Sequence, residues 1–486
     1  MKRKLTTKFI EGQKPNPSKG LDFRDELMPG LALRVLARLV RRDALPSTHR
    51  RSFDGAMPAS RRGIGSFGPT GPEALAAASP LRSRARHAAA NNAWIANGVA
   101  AIGGEAVGAG IEATSTHLDS DQRPALDAAF DAFAAEADAE GRTDLRGLVA
   151  QMVQACVIDG EAFAVIEEDA DGLRVRLIPA EMVDESLTRE LPGGGYIVAG
   201  IEFDDRGRRV AYHVLPHRPT DHFPTAAQPV RIPAGDMLHL MRPLGPGQVH
   251  GVSWLAPVLL TTNELDQLTD AMLVGQKIAA MFAGFIVDQN NLGGPGGFAE
   301  EDGDVSLEPG TIRRLAAGED IRFATPDQAS DGVAFARLTL GQIAAGLGVP
   351  QHLLDGDLSS ANYSSLRAGL LPFRQKIEQF QYHCIVPQVL PPLWRRVVTR
   401  LYLAEEIENL ALALKVEWLP PRPMQVDPEK DTRALVAQIE AGLTSRRQAV
   451  ASLGWNVAEL DTEIAADRDR AAALGLTFTG DSTNAD

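Results

Sequence analysis

The feature that most constrains this chain is a spacing. Between Val252 and Phe282, apolar or small residues recur at Val258, Thr261, Leu265, Leu268, Met272, Gly275, Ala279 and Phe282, in alternating steps of three and four. That spacing predicts one long helix with a single apolar seam. Asn263, Glu264, Asp266, Gln267 and Asp270 fall away from the seam, so the helix carries an acidic face. Two arrangements satisfy it: an amphipathic helix laid on any core, or a helix packed beside copies of itself with its acidic face towards a channel.

The chain beyond the seam has a matching form. A Gly/Pro/Asp-rich connection, 290–304, leads to an expected pair of strands around Gly310 to Phe323. A shorter helix is predicted from Asp331 to Leu347, stopping before Val349-Pro350. The segment Gln351 to Ala361 reads as a loop, with Ser359 and Ser360 as candidate caps for the next helix. That helix has its own seam, Tyr363, Leu366, Leu370, Phe373, Ile377, Phe380 and Cys384, and Pro372 and Pro387 predict kinks in it. A Pro-rich joint at Pro420, Pro421 and Pro423 precedes a last helical module, in which Asp427-Pro428 opens a helix, Gly442 ends it and Ser445 starts another. Residues 480–486 read as disordered.

Upstream, the chain begins as a Gly/Pro/Ser/Arg-rich arm with one helical segment near Leu27 to Val40 and no sustained period from Ser47 to Pro80. Order is expected from Leu81, with a helix through Ala101, then helices at Asp121 to Ala139 and Leu145 to Val157. Between Gly160 and Leu240 the pattern becomes short alternating strands: Ala162–Glu167, Leu173–Ile178, Tyr196–Phe203, Val210–Leu215 and Met237–Leu240. The fold class is therefore α+β.

Charge is distributed unevenly along the 486 residues. Residues 1–90 hold 18 Lys and Arg against 7 Asp and Glu, a net of +11, and the rest holds 31 against 56, a net of −25. An acidic body argues against tight binding of a nucleic-acid backbone, which needs phosphate neutralisation. It suits a surface past which a polyanion slides. The longest apolar run, Ile278 to Val287, is half the ~20 residues that span a bilayer, and no secretion signal is expected. Cys156 and Cys384 are read as small buried hydrophobes, which fits folding in a reducing cytosol.

Chemistry-bearing motifs are sparse. Gly108-Ala-Gly110 is a fragment of a dinucleotide fingerprint with no parallel βαβ unit behind it. The sequence holds no GxxxxGK[ST], HExxH, CxxC or GxSxG. His213, His217, His222, His239 and His250, with Asp221 and Asp236, read as solvated or core-edge groups and not as a metal set. Glu167-Glu168 and Asp204-Asp205 read as solvated turns. No catalytic, cofactor-binding or metal-binding residues are assigned, and the chain is expected not to be an enzyme.

Several segments, in order, resemble the lambda-type tailed-bacteriophage portal protein family. They are Arg84-Ala-Arg86 with Asn91-Asn92 and the turn Val107 to Ile111; Asp159-Gly-Glu161-Ala-Phe163 with Leu177-Ile-Pro179; His239 to Gln248 running into Gly251-Val-Ser-Trp-Leu-Ala-Pro257; Leu307-Glu-Pro-Gly310 with Leu315 and Gly318-Glu319; Asn362-Tyr-Ser-Ser365-Leu-Arg367 with Trp394; and Trp418, Asp427-Pro428, Glu429-Lys430 and Gly442-Leu443-Thr444. The family pattern has Arg where this chain has His250.

The resemblance implies a ring-forming subunit built as 1–80 basic flexible arm, 81–251 wing, 252–285 stem helix, 286–326 clip, 327–347 second stem helix, 348–361 tunnel loop, 362–404 long kinked helix and 405–486 crown and C-terminal tail. It implies a homo-oligomer of about twelve copies at one capsid vertex of the virion, assembled in the host bacterial cytoplasm. Viral double-stranded DNA would be packaged and ejected through that ring. Partners implied are the terminase large subunit, a head–tail connector or adaptor, and the major capsid and scaffold proteins, with no cofactor and no membrane. Glu264, Asp266, Asp270 and Arg367 are the candidate channel residues. Asp355, Asp357, Ser359, Ser360, Asn362 and Tyr363 are the candidates at the tunnel loop. Another head–tail connector component, or an enzyme with an unrecognised site, are the alternatives.

Overall fold

The computed structural model describes residues 68–117, 119, 122–169, 172–218, 228–281, 285–288, 319–322, 329–359, 362–421 and 427–476. The segment at Leu27 to Val40, the last residues and most of the connection after the long seam lie outside them.

The first helix, α1 (Thr70–Asn91), starts eleven residues before the expected Leu81. Ala74, Ala77 and Leu81 share one face and are buried there, so packing outweighs the turn signals of Gly71, Pro72 and Pro80. The expected single helix is two. Asn92 breaks away from helical geometry and its side chain accepts from the Ile95 amide, starting α2 (Ala93–Val107). Then come β1 (Glu112–Ser115), α3 (Arg123–Ala135) and α4 (Leu145–Asp159), the last capped by Asp144 and ended by Gly160 in the left-handed region.

Two antiparallel sheets come next. β2 (Glu161–Asp169), β3 (Gly172–Ile178) and β9 (Met237–Met241) form the first, in the order β3-β2-β9, with Phe163 opposite Ile178 on one side and His239 on the other. The second is a five-stranded meander of β4 (Arg189–Glu190), β5 (Tyr196–Val198), β6 (Ile201–Phe203), β7 (Arg209–Val214) and β8 (Val230–Pro233). The expected strand Tyr196 to Phe203 is a hairpin turning at Ala199-Gly200. β4 and β8 are too short or too exposed to show a period in the sequence. Ile201, Tyr212 and Val214 of the meander share a second, smaller core with Phe163 of β2 and Met237 of β9. The free edge of β9 is closed by one side chain: the Gln388 amide donates to the Met241 carbonyl at 3.0 Å and accepts from its N–H at 2.8 Å.

The long seam becomes α5 (Leu259–Met281); residues 252–258 before it form turns, not helix, because Pro257 disfavours helix at Ala256. β10 (Phe285–Asp288) pairs with β11 (Glu319–Arg322), so the expected strand near Phe323 finds its partner before the connection and not within it. α6 (Ala329–Leu347) packs against α5 and against α7 (Gln351–Asp355). α7 occupies the first half of the expected loop, its Leu354 side chain buried in the main core.

α8 (Tyr363–Phe380) buries Phe373, Ile377 and Phe380 as its seam requires. Pro372 sits inside it without ending it. The irregularity falls instead on a π turn, Gln381–Ile385, just before Pro387, after which α9 (Val386–Leu403) continues. The π turn aims Gln381 at the end of α2, where its amide donates to the Ala106 carbonyl at 2.9 Å.

α10 (Leu410–Ala413) and β12 (Val416–Leu419) return to the N-terminal helices. β12 pairs with β1, Trp418 opposite Ala113. Phe130, Trp394 and Trp418 pack there tilted or edge to face, with centroids 5.2 to 6.4 Å apart. The chain continues with α11 (Pro428–Glu440), α12 (Arg446–Ser452) and α13 (Val457–Leu474), with Asp427 and Ser445 as caps where the sequence places them.

Candidate functional site

The three acidic channel candidates share α5 but not one environment. Glu264 and Asp270 are exposed. Asp266 is half-buried against α1, and its Oδ1 accepts from the Asn92 amide at 2.7 Å. Helical geometry explains the split: Asp266 lies between the buried seam and the exposed face, so it turns towards the neighbouring helix.

The second set lies around the junction of α7 and α8. Asp355 ends α7 and accepts from the Gln351 amide at 3.0 Å and the Asp357 N–H at 2.9 Å. Asp357 accepts from the Ser359 N–H at 2.9 Å and pairs with Arg337 of α6 at 2.6 Å. Those hydrogen bonds from Ser359, then the nearby guanidinium, hold its carboxyl below the ordinary range. Ser360 lies outside the described residues. The cap of α8 is Asn362, not Ser359 or Ser360. Its side chain accepts from the Ser365 N–H at 2.9 Å, and the Ser365 hydroxyl accepts from the Asn362 N–H at 2.9 Å. Tyr363 is the first residue of α8; its side chain lies outside the described set. Arg367 is exposed on the same helix and binds Asp431 of α11 at 3.0 Å within the one chain.

Sequence reasoning missed the densest polar site. Glu161, the first residue of β2, is completely buried. It receives His239 Nε2 at 3.0 Å, His250 Nδ1 at 2.9 Å and the Gly251 N–H at 2.8 Å. Arg82 of α1 stands 3.6 Å from Glu161 and donates to Glu185 at 2.6 Å. One turn later Arg86 grips Asp159 through two bonds of 2.7 Å and reaches Glu181 at 2.7 Å. Two arginines at i and i+4 thus bind four carboxylates from the end of α4, the start of β2 and residues 181–185.

The two histidines play different parts. His250 Nε2 faces the Ala199 carbonyl at 2.8 Å while Nδ1 faces Glu161, so both nitrogens donate. Burial works against its charge, but the Glu161 carboxylate outweighs it and the pKa is raised. Burial drives His239 down to about 4, so its Nε2 donates to Glu161 and its Nδ1 accepts from Arg209 at 3.1 Å. Burial also acts against the charge of Glu161, and the facing histidines overcome it, holding the carboxyl well below its usual range. His250 is therefore the charged imidazole of the pair, set against the Glu161 carboxylate.

Backbone geometry supports the same place. Ala199, whose carbonyl His250 holds, has φ of 48°, a strained value for a residue with a side chain. Gly160 and Gly251 meet so closely that a Cβ on Gly251 would lie 2.0 Å from the Gly160 carbonyl oxygen. Glu161, Glu185 and His250 are the three residues that bring metal-type ligand atoms within 4.8 Å of one another among the described residues. The Arg82 guanidinium bridges the two carboxylates of that set, so a side-chain cation balances their charge. The arrangement clamps α1 to both sheets. The signal in the sequence was indirect: Asp159-Gly-Glu161, Arg86 and His239 to Gly251 all stood out, but as separate segments.

Comparison with known proteins covers the same region. The family described as phage portal protein, lambda family, matches residues 67–381, from just before α1 to the start of the π turn. A probable portal protein of Halomonas phage phiHAP-1 is 24% identical over 379 residues, covering 74% of this chain and 73% of that protein. The portal protein of Escherichia phage N15 is 24% identical over 388 residues, covering 70% and 72%. Portal protein B of Escherichia phage lambda is 24% identical over 320 residues, covering 57% and 59%. Among solved structures, a chain from the neck of a native gene transfer agent particle computed with C12 symmetry aligns with a TM-score of 0.44 at 14% identity, over 76% of this chain and 92% of that one. The chain belongs to the lambda family of phage portal proteins.

Proposed function

We propose that this portal protein forms the ring at one capsid vertex, through which viral DNA is packaged and ejected. The observation that carries this reading is the pair α5 and α6. They pack on each other, yet Leu273 and Val274 of α5 are both 52% exposed, and Val333, Phe335 and Leu338 of α6 are 58 to 62% exposed. Apolar side chains standing outward along two adjacent helices call for a partner, and cyclic repetition of one chain supplies it.

In this reading 81–251 is the wing, 252–285 and 327–347 the stem pair, 286–326 the clip where a connector docks, 348–361 the tunnel loop, 362–404 the long helix beneath the crown, and 405–486 crown and tail. Glu264 and Asp270, standing clear of the core, keep the lumen negative so that DNA slides. The Arg337–Asp357 pair holds the tunnel loop to the stem. The role is that of a conduit and docking platform. Nucleotide hydrolysis would belong to the separate terminase. Assembly would take place in the host cytoplasm, with the product in the phage particle. Among the described residues no helix is long and apolar enough to cross a membrane.

Native mass measurement of the purified chain tests this. A closed assembly of about twelve copies with a central hole is expected. A monomer or dimer at all concentrations overturns the reading.

A further inference from the structure

Arg242 follows the last residue of β9 and is half-buried. Its guanidinium carbon lies over the Trp254 ring, 3.9 Å from the centroid. Trp254 is itself fixed: Phe380 meets it edge to face at 4.9 Å, and its backbone N–H donates to the Val157 carbonyl at 3.0 Å. The guanidinium donors are thereby held in place, yet among the described residues they have no acceptor and no carboxylate partner. What faces them is the thiols of Cys156 and Cys384, which burial keeps protonated. Every other buried or half-buried arginine among the described residues donates a side-chain hydrogen bond. Arg82, Arg86, Arg146, Arg176, Arg374 and Arg396 all reach carboxylates. A guanidinium withdrawn from water without a partner is costly, so Arg242 stands ready for one. None of its nitrogens is both sealed from solvent and unpartnered, so an acceptor arriving at the surface can reach them.

A planar fork of donors laid on an indole suits a two-oxygen acceptor, which carboxylate and phosphate both offer. The surroundings choose between them. Arg242 is the one Lys or Arg in residues 236–276, whereas a nucleic-acid backbone is held by several cations together. Beside it Pro243, Leu244 and Pro246 are exposed, Leu244 at 49%. An arginine bordered by stiff apolar residues is the composition of a protein contact. The loop they form is already shaped: the Leu244 N–H donates to Gln248 Oε1 at 2.7 Å, and a Cβ on Gly245 would stand 3.0 Å from the Thr70 hydroxyl of α1. Docking there costs little further ordering. Residues 91–486 carry 56 acidic side chains against 31 basic ones, so a second copy of this chain brings the acceptor that Arg242 lacks. We infer that Arg242 and the loop 243–247 form a clasp between copies, the guanidinium taking a carboxylate of the adjacent subunit while Leu244 packs beside it. The inference rests on the ring reading.

The test uses the full chain with Arg242→Gln and Arg242→Lys. Native mass spectrometry across a dilution series reads assembly, and thermal melting below the assembly concentration reads the lone chain. Arg242→Gln is expected to leave the lone chain's melting temperature unchanged or higher, since it removes a half-buried charge that has no partner. It should raise the concentration needed for the ring about tenfold. Arg242→Lys keeps the charge and places an amine at the clasp. A water-soluble carbodiimide then joins that amine to a touching carboxylate as an amide, taking up the released water as a urea. With light and heavy-isotope chains mixed, the amide at position 242 should join one isotope to the other. The clasp is overturned if Arg242→Gln assembles like the parent, or if the amide at position 242 is absent or joins residues of one chain only. Rings that form normally but lose salt-sensitive retention of duplex DNA would give Arg242 to phosphate and overturn it equally. If Leu273→Asp blocks the ring while Arg242→Gln does not, the clasp falls and the ring reading stands. A parent chain that never forms a ring removes both.

Discussion

Two regions of this chain meet water in opposite ways. From α1 to β9 the open features are closed from within: Gln388 covers the β9 edge, Gln381 caps α2, and the charges of Glu161, Arg82 and His250 are matched in the dark. The α5–α6 pair and the C-terminal helices do the reverse. α11 buries no residue, α12 buries Ala449 and Val450, and the side chains Leu443 and Trp455 beside them are 80% and 52% exposed. Helices of this length gain most of their stability from packing. The first region closes its polar groups within one chain, and the second leaves apolar side chains at the surface.

The contrast can be tested from the strongest effect on the lone chain to the weakest. Glu161→Gln leaves His250 and Arg82 charged and buried without their common partner, so a loss of about 3–5 kcal/mol is expected in denaturant unfolding. A loss under about 1 kcal/mol would mean that the clamp does not hold α1 to the sheets.

Acidity probes the same network with a definite sign. The pKa of His250 is raised on folding, so its contribution is complete below the unfolded value of about 6.5 and fades as pH rises through the folded one. His239 is lowered to about 4, so stability is lost as pH falls from about 6.5 towards 4. Glu161 is lowered too, adding a further loss below about 4.5. Melting temperature against pH should therefore peak near 6.5, and His239→Gln should flatten the acid limb between about 6.5 and 4. A profile that His239→Gln leaves unchanged would contradict the assignment of the two imidazoles.

Asn362→Ala removes the cap of α8 outside the closed region. It should cost about 1 kcal/mol, seen as faster amide exchange in the first turn of α8 alone. The smallest effect on the lone chain belongs to Leu273→Asp with Val333→Asp: both positions are exposed, so the melting temperature should move by less than the equivalent of about 0.5 kcal/mol. The ring should nevertheless fail to form. A ring of normal mass would remove the distinction between the two regions.

How much the sequence displayed depends on the range of the forces involved. Seams such as Leu265–Leu268–Met272 and Phe373–Ile377–Phe380 are local periods and could be read directly. Caps at Asp427 and Ser445 are equally local. Residues 252–258 looked like the start of the α5 seam because Val258 continues its period, although Pro257 keeps the helix from starting before Leu259. α7 went unseen because five residues are too few to show a period. The Glu161 site joins residues 78 and 89 positions apart in the chain. No window of sequence contains it, and the lone His239 and His250 looked peripheral. The contact between α1 and α5 is likewise a product of packing: Asn92 and Asp266 are 174 residues apart.

The π turn at Gln381–Ile385 carries a consequence for how freely this gene can change length. One residue more or less in an α-helix rotates everything beyond it by about 100°. Within α8 or α9 such a change would swing Trp394 away from Phe130 and Trp418. The wide π turn already stores a surplus residue, so a single deletion inside 381–385 can relax it to ordinary α geometry while both flanking faces keep their bearings. Tryptophan fluorescence of such a deletion should match the parent, whereas a deletion at Gln375 should redden it. The helix thus contains one position where the reading frame of the fold, as distinct from that of the gene, tolerates a slip.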